Sequence, residues 1–367
     1  MYTFYQSFER ILDSQPKHLF FSDDDWENFL IKNFPLNFFD IGHSREGSKL
    51  HAVKMGTGHL KASIIAGCHA DEPTGPFMLQ SFLLWLKKTG SGNELLKNWT
   101  FFVIPQMNPD GALRNKNWMA LPLSLKAYLL GSVRELPGDD IEFGFPLSKL
   151  DQSIRPENKA AADFLTANGP FHAHFSLHSL SLGGGAWFLI GKKHNSDSFQ
   201  LQAKLKGIAE KLGLPLYDID RKGEKGFFRL SAGFSTTPSS EAMRSYLKDQ
   251  NQPELAEKIK LSSMEFVENL GGEPLTLVSE IPNFISPFLQ TVKSIEEQKF
   301  KILVQNELQR CKVELKEGKD ELFNSTVNQF AITPVLFKDQ IRIQFRMILC
   351  ALSEVKSNSP HRFMYYP

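Results

Sequence analysis

The sequence is poor in cysteine. Its 367 residues include three cysteines, Cys68, Cys311 and Cys350. An odd and widely spaced set of thiols excludes a disulfide framework, and the lack of a CxxC pair excludes the usual thiolate zinc site. We therefore expect the protein to function in a reducing compartment.

The sequence also lacks surplus charge and long apolar runs. Its formal net charge is +1, so it has no basic surface for nucleic acid or acidic lipid, and neither is an expected partner. No run of about 18 apolar residues occurs, which predicts no membrane span. The first residues, MYTFYQSFERILDSQ, do not combine a basic segment with an apolar one, so no signal peptide is predicted. Together these features predict a cytoplasmic protein.

The order of apolar segments predicts an α/β fold. Hydrophobic residues make up 41% of the chain, a normal share for a globular protein. Short apolar runs at 62–67, 100–107, 172–179 and 275–282 suit strands that are buried on both faces. A helical pattern at 76–88 joins the first two runs as a βαβ unit. We predict a mixed, mostly parallel twisted sheet with helices on both faces.

Helical segments flank the predicted sheet. Ser22 precedes three aspartates and is a typical N-terminal cap for a helix in the first 35 residues. Single helices are also predicted at 253–272 and at 294–322. The predicted division is a helical lead at 1–35, a central domain at 36–290 and a C-terminal helical extension at 291–367.

The first candidate ligands follow the first buried strand. His69 and Glu72 are three residues apart in a turn, where both side chains can converge on one point. An imidazole nitrogen and a carboxylate oxygen together suit Zn²⁺. The carboxyl end of a strand in an open α/β sheet is also the usual place for a ligand. An isolated HxxE pair is common, so a metal site requires a third ligand.

A third ligand is expected from the strand at 172–179. His172, His174 and His178 share one face of this strand. One of them would complete a His₂Glu site with an open position for water, which is the arrangement of catalytic zinc. His178 is favoured because it ends the strand and precedes a polar, glycine-rich stretch. His172 and His174 stay open as alternatives.

Glu280 follows the last apolar strand and is the candidate base. Burial of a free carboxylate is costly, so this side chain must reach solvent, a partner or a metal site. Beside a zinc-bound water it could accept a proton and deliver it to a leaving amine. The alternative is a surface glutamate at the end of a strand.

Four motifs in this order resemble the zinc carboxypeptidase family. The motifs are HADE (69–72), NPDG (108–111), HS (178–179) and SEIP (279–282), and the resemblance extends over 36–290. It implies a carboxypeptidase-like catalytic domain with one zinc ion per chain, held by His69, Glu72 and His178, and with Glu280 as general base. It also implies a peptide substrate. The related desuccinylase and aspartoacylase group uses the same kind of ligands on N-acyl amino acids.

One segment departs from the family pattern. Family peptidases usually carry an Asn-Arg pair that binds the C-terminal carboxylate of the substrate, and Glu142 and Phe143 stand there instead. A glutamate repels a carboxylate, and bidentate recognition is lost. We therefore expect a preference for substrates without a free carboxylate beside the scissile bond, or an arginine from another segment, such as Arg114 or Arg229, that replaces the pair.

The resemblance suggests further site residues. Arg114, close to the NPDG turn, is the candidate for stabilising the oxyanion. Tyr246 and Glu142 are candidate substrate-binding residues, and Arg155 and Arg229 are candidates for a relocated anion clamp.

Three functions are compatible with these residues. The first is a zinc peptidase. The second is a deacylase of N-acyl amino acids. The third is a non-catalytic protein that binds zinc or a ligand, which the replacement at Glu142 and Phe143 favours.

Overall fold

The structure is a computed structural model that describes residues 2–14, 19–90, 92–120, 122–148, 151, 153–194 and 198–358. Its strands are β1 (Phe38–His43), β2 (Lys49–Met55), β3 (Leu60–Ala66), β4 (Trp99–Ile104), β5 (Ala173–Gly183), β6 (Trp187–Ile190), β7 (Asp218–Ile219), β8 (Arg229–Ser231), β9 (Phe234–Thr236), β10 (Leu275–Ile285), β11 (Thr291–Val292) and β12 (Thr333–Pro334). Its helices are α1 (Tyr2–Asp13), α2 (Asp23–Asn33), α3 (Thr74–Thr89), α4 (Glu94–Asn98), α5 (Pro109–Asn115), α6 (Leu125–Gly131), α7 (Pro156–Asn168), α8 (Phe199–Lys211), α9 (Ser240–Asp249), α10 (Pro253–Lys258), α11 (Ser263–Asn269), α12 (Ile295–Lys316), α13 (Glu321–Gln329) and α14 (Phe337–Asn358).

One mixed sheet forms the centre of the molecule. In the described residues it has ten strands, in the order β1-β2-β4-β3-β5-β10-β6-β9-β8, with β12 paired to β10. The four central strands β4, β3, β5 and β10 are parallel, and antiparallel pairs flank them on both sides. The predicted α/β class and mixed sheet are confirmed, and one further parallel pair, β6 with β9, lies outside the centre.

Helices cover both faces of this sheet. Successive side chains of a strand point to opposite faces, and β3 shows the consequence. Ile64 belongs to a core cluster shared with α1, α3 and α14, whereas Ile65 belongs to a second cluster shared with α7 and α11. Both side chains are fully buried. The central strands are therefore apolar on both faces, as their sequences predicted.

Two predicted helices prove to be interrupted. The segment 253–272 forms α10 and α11, because Ser262 caps the second helix in a capping box with Glu265. The segment 294–322 contains α12, which ends at Lys316, and Gly318 follows with a φ of 79°. In each segment the apolar periodicity continues, but a capping box or a glycine with positive φ ends or restarts the helix.

The segments outside the central domain contribute to the same core. Residues of α1, α2 and α14 lie in the core cluster that also contains Ile64, and α14 packs against β5 and β10. The boundaries at 35 and 290 stay a prediction. No helix in the described residues is long and apolar enough to cross a membrane.

Candidate metal centre

The turn after β3 and the middles of β5 and β10 bring the candidate site residues together. The turn after β3 carries His69 and Glu72, β5 carries His178, and β10 carries Glu280, which pairs with His178 in the parallel register. Gly67 allows the turn to leave β3, since its φ is 69° and a Cβ atom there would lie 2.7 Å from the side chain of Gln106. Because β3 ends level with Leu177 of β5, this turn lies beside His178 and Glu280, and all four residues meet at one site. Strands β5 and β10 continue to Gly183 and Ile285, so the prediction that His178 and Glu280 stand at strand ends is wrong.

The side chains of His69, Glu72 and His178 form a possible metal site. Nδ1 of His69 lies 2.8 Å from Oε1 of Glu72, and Nδ1 of His178 lies 3.0 Å from Oε2. The two Nδ1 atoms are 3.1 Å apart. Two nitrogens bound to one tetrahedral zinc at about 2.0–2.1 Å each lie roughly 3.3 Å from one another. The donor set and its spacing therefore fit a zinc ion.

The charges at this site are strongly coupled. Although burial opposes the shift, Glu142 and Glu72 hold the pKa of His178 well above its ordinary value. Burial also opposes the shift at Glu72, where His69, Arg134 and His178 hold the pKa well below its ordinary value. The carboxylates in the site thus stabilise positive charge at the imidazoles. A metal ion would bring its positive charge to this same place.

Glu280 lies beside these ligands with an altered acidity. Burial, with a smaller contribution from the Glu72 carboxylate, raises the pKa of Glu280 to about 7, against the opposing effect of His178. A carboxyl group with a pKa near neutrality can both accept and return a proton at physiological pH. A divalent cation held by the neighbouring ligands would favour the ionised form.

The two alternative histidines have other roles. His174 is buried between two hydroxyls, with Ser63 Oγ 2.8 Å from Nδ1 and Ser263 Oγ 3.1 Å from Nε2, and burial lowers its pKa to about 3. His172 accepts a hydrogen bond of 3.0 Å from the backbone N–H of Lys61. The structure thus brings His178, and not His172 or His174, to the other ligands.

Glu142 contacts the far side of the third ligand. Its Oε2 lies 3.0 Å from Nε2 of His178, and the hydroxyl of Ser176 lies 2.8 Å from the same nitrogen. Nε2 is thereby engaged, and Nδ1 is left for a metal. A carboxylate on the second nitrogen of a histidine ligand orients the ring and raises its basicity.

Cys68 lies within the same cluster but is a weaker candidate ligand. Its sulfur forms a second possible group with Glu142 and His178. Burial, followed by the charge of Glu142, raises the pKa of the Cys68 thiol well above its ordinary value. A protonated thiol is a poor ligand, so the His₂Glu group is favoured.

Sequence reasoning missed Arg134, which holds the ligand loop. Its Nη2 donates to Glu72 Oε1 at 2.5 Å, and its Nε donates to Asp71 Oδ1 at 2.7 Å. Tyr128 donates a further hydrogen bond of 2.7 Å to Asp71. The acidic Asp71 between the ligands was a sign that a cation lies nearby, but nothing in the sequence indicated which one.

The other arginines of the sequence analysis lie outside the cleft. Arg114 is half-exposed and pairs with Glu46, with Glu135 3.7 Å away. The other two arginines are paired with carboxylates elsewhere. Arg155 donates a hydrogen bond of 2.7 Å to the buried Glu157, and Arg229 on β8 donates one of 2.6 Å to Asp218. None of the three lines the cavity at the metal centre. The expectation that Arg114, Arg155 or Arg229 contributes to this cleft is therefore corrected.

Two glutamines of α14 form hydrogen bonds to the segments that carry the candidate ligands. Gln344 donates to the carbonyl of His178 at 3.2 Å and to the hydroxyl of Ser279 at 3.1 Å. One helical turn earlier, Gln340 accepts a hydrogen bond of 2.8 Å from Thr74, which follows the ligand Glu72 at the start of α3. The three segments that carry the candidate site are therefore fixed to one helix.

A cavity of about 440 Å³ opens at the metal centre. His69, His178 and Glu280 line one part of it, and Tyr246 lines another. This volume lies within the roughly 300–1,000 Å³ that small-molecule sites occupy. The arrangement can hold a metal ion and a small substrate side by side.

Comparison with known families identifies the fold and its relatives. A family model described as zinc carboxypeptidase matches residues 33–122. Over this segment the chain is similar to the zinc carboxypeptidase family. The matched segment contains His69, Glu72 and the NPDG turn, and it ends before His178. A search of curated protein sequences returned no match.

Solved carboxypeptidases have a similar fold at low identity. The bovine thrombin-activatable fibrinolysis inhibitor, solved with tick carboxypeptidase inhibitor, is 15% identical, with a TM-score of 0.50 and coverage of 93% of this chain and 98% of that one. A metallo-carboxypeptidase from Burkholderia cenocepacia is 15% identical, with a TM-score of 0.48 and coverage of 92% and 70%. One from Pseudomonas aeruginosa is 13% identical, with a TM-score of 0.49 and coverage of 92% and 69%. At such identities the bovine structure supports the fold alone.

Proposed function

We propose that this distant zinc carboxypeptidase relative is a zinc-dependent peptidase. The observation that carries the proposal is the convergence of His69, Glu72 and His178 beside Glu280, at the mouth of a cavity. A binding protein needs the three ligands but has no need of a buried carboxylate next to them. A zinc ion held there would polarise a carbonyl group, lower the pKa of its bound water and stabilise an oxyanion.

Glu280 is the proposed general base. Its carboxylate would accept a proton from the attacking water and return that proton to the nitrogen of the leaving amine. Burial raises the pKa of Glu280 to about 7 without a metal, and a bound cation would favour the carboxylate form that accepts the proton. Arg134 is proposed to position the ligand carboxylate of Glu72, to which it donates a hydrogen bond. Arg114 has no part in this scheme, because its ion pairs are with Glu46 and Glu135 and not with a candidate ligand.

A deacylase acting on N-acyl amino acids is the second candidate. The observation in its favour is the cavity wall, which contains no arginine among the described residues. Such a wall could accept an acyl chain as readily as a peptide side chain.

The test begins with elemental analysis of the purified protein, which should show one zinc per chain. Hydrolysis is then compared on dipeptides with a blocked N-terminus, on the same peptides as C-terminal amides, and on N-acyl amino acids. Peptide cleavage by the zinc-loaded protein is expected, and chelation should abolish it. Full zinc occupancy without hydrolysis of any compound would contradict the proposal and favour a non-catalytic protein.

A further inference from the structure

The cavity at the metal centre has two chemically different ends. Asp140, Glu142 and Glu280 line it together with the two histidine ligands, so this end is rich in carboxylates. The rest of the lining is mostly apolar, and its larger side chains are Phe143, Phe227, Met243, Tyr246, Leu247 and Met264. The carboxylates of the first end repel a substrate carboxylate that lies away from a bound metal ion, so such a group needs a cation at the second end.

Lys225 supplies that cation. It is the only lysine or arginine among the described residues that line the cavity. It lies in the short turn Glu224–Gly226, which packs on α9, and its Nζ atom lies 4.6 Å from the centre of the Tyr246 ring. The ring face and the ammonium attract each other, so the contact holds both side chains at the cavity wall.

The ammonium of Lys225 is available to a ligand. Its nearest carboxylate is that of Glu224, at 3.9 Å, and this carboxylate is also in close contact with Arg221. Lys225 is 27% exposed, and burial lowers its pKa. An incoming carboxylate would therefore find a partly desolvated cation that lacks a close anionic partner in the described part of the chain.

The residues that replace the family's Asn-Arg pair fit this arrangement. Glu142 points to His178, and Phe143 packs with Leu247 and Ile259 in the apolar cluster beside α9. Glu142 therefore contacts a candidate metal ligand and Phe143 forms part of the cavity wall, and neither side chain can bind a carboxylate. The anion must be bound by a residue from another segment.

We propose that Lys225 binds the free C-terminal carboxylate of a peptide substrate, and that the cavity accepts a large apolar side chain of its terminal residue. This inference rests on the proposed peptidase function and names its substrate class. Lysine presents a point charge and not a planar fork, so recognition relies on charge more than on the geometry of two parallel bonds.

The test compares the zinc-loaded wild type with Lys225→Ala. The substrates are blocked dipeptides ending in Phe, as free acid and as amide, and the same free acid ending in Asp. The wild type should favour the Phe free acid. In Lys225→Ala, kcat/KM for that acid should fall by about tenfold or more, as expected for a lost charge-assisted hydrogen bond, and the amide should be affected much less.

Two further variants and a binding measurement complete the test. Lys225→Arg should restore most of the preference for the acid. Lys222→Ala is the matched control, because Lys222 has a similar backbone φ of 53° in the same loop but pairs with Asp220 outside the cavity. Calorimetry with N-acetylphenylalanine and its amide on the zinc-loaded protein measures binding without turnover, and binding of the acid should require Lys225.

The outcomes separate this inference from the peptidase proposal. If peptides are cleaved but Lys225→Ala keeps the full preference for the free acid, the role of Lys225 is refuted and the peptidase function stands. If no peptide is cleaved, calorimetry decides: acid binding that depends on Lys225 supports the inference, and equal binding in wild type and Lys225→Ala overturns it.

Discussion

Strand β5 carries two histidines, one near its start and one in its middle, in two different environments. His174 and His178 are four residues apart on one face of the strand. His174 lies opposite Thr276 of β10 and between two serine hydroxyls, whereas His178 lies opposite Glu280 and beside Glu72 and Glu142. Burial without a nearby anion keeps the first imidazole neutral, and carboxylates make the second a site for positive charge.

The contrast teaches that the end of the neighbouring strand β3, more than the residue type, decides which histidine can act as a ligand. His174 pairs with Ser63 of β3, so it meets only neighbours from adjacent strands and the covering helix. β3 ends at Ala66, level with Leu177, so His178 lies beside the turn that carries His69 and Glu72. The predictions below test this difference along β5.

The largest expected effect is complete loss of stoichiometric zinc in His178→Ala. The variant removes one of three protein ligands, and an incomplete site does not hold zinc tightly. His174→Ala is the matched control on the same strand, and it should keep its zinc while losing stability, since two buried hydroxyls lose their partner. Elemental analysis and thermal unfolding measure both results. Full zinc occupancy in His178→Ala would overturn the contrast.

The next effect concerns the residue opposite His178. Glu280→Gln preserves size but removes the base, so kcat should fall by at least about 10²-fold, the lower bound for general acid–base catalysis. Zinc content should not change. The matched substitution near the start of the same pair of strands is Thr276→Val, for which kcat should be nearly unaltered. Near-normal turnover in Glu280→Gln would place the base elsewhere, with Glu142 as the next candidate.

A smaller effect is expected on metal affinity in Glu142→Ala. Because Glu142 contacts the second nitrogen of His178, its loss should weaken zinc binding by about 10–100-fold. Competition with a chelator of known affinity measures this change without reference to activity. Glu142→Gln should retain part of the affinity, since an amide oxygen can still accept a hydrogen bond. Unchanged affinity in Glu142→Ala would show that the contact has no role in metal binding.

The smallest effect is a pH dependence that comes from His174. Its pKa is about 3 in the folded protein and about 6.5 in an unfolded chain. Protonation therefore favours unfolding, and the stability due to the neutral imidazole is lost as pH falls below about 6.5, by up to roughly 1.4 kcal/mol per pH unit. Chemical unfolding between pH 7 and pH 5 should show a shallower acid slope for His174→Gln than for wild type. Equal slopes would contradict the assignment.

Many of the strands and helices could be predicted from the sequence, because apolar runs and helical periodicity depend only on neighbouring residues. The runs that became β3, β4, β5 and β10 were visible without any knowledge of their partners. His178 could be favoured over His174 because it precedes a polar, glycine-rich stretch, which is also a local feature, although β5 does not end there but continues to Gly183. The split of 253–272 at Ser262 was equally local and was missed, since the apolar pattern continued through the capping box.

Arg134 and Lys225 could not be predicted, because their roles depend on contacts between distant segments. Arg134 is 62 residues from the carboxylate that it contacts, and no spacing rule connects the two positions. Lys225 reaches the cavity through a turn that packs on α9, and its neighbour Lys222 pairs with Asp220 outside the cavity. Arg114 was misplaced for the same reason, since proximity to a motif in sequence does not fix the direction of a long side chain.

Gln340 and Gln344 also set a limit on how far this protein can be shortened. A chain that ended at residue 290 would keep His69, Glu72, His178 and Glu280 but would lack α14. The carbonyl of His178 and the hydroxyls of Thr74 and Ser279 would then lose buried partners, and the apolar residues of β5 and β10 would face water. Anyone trimming this protein for crystallisation or display should remove residues from the C-terminus only beyond this helix.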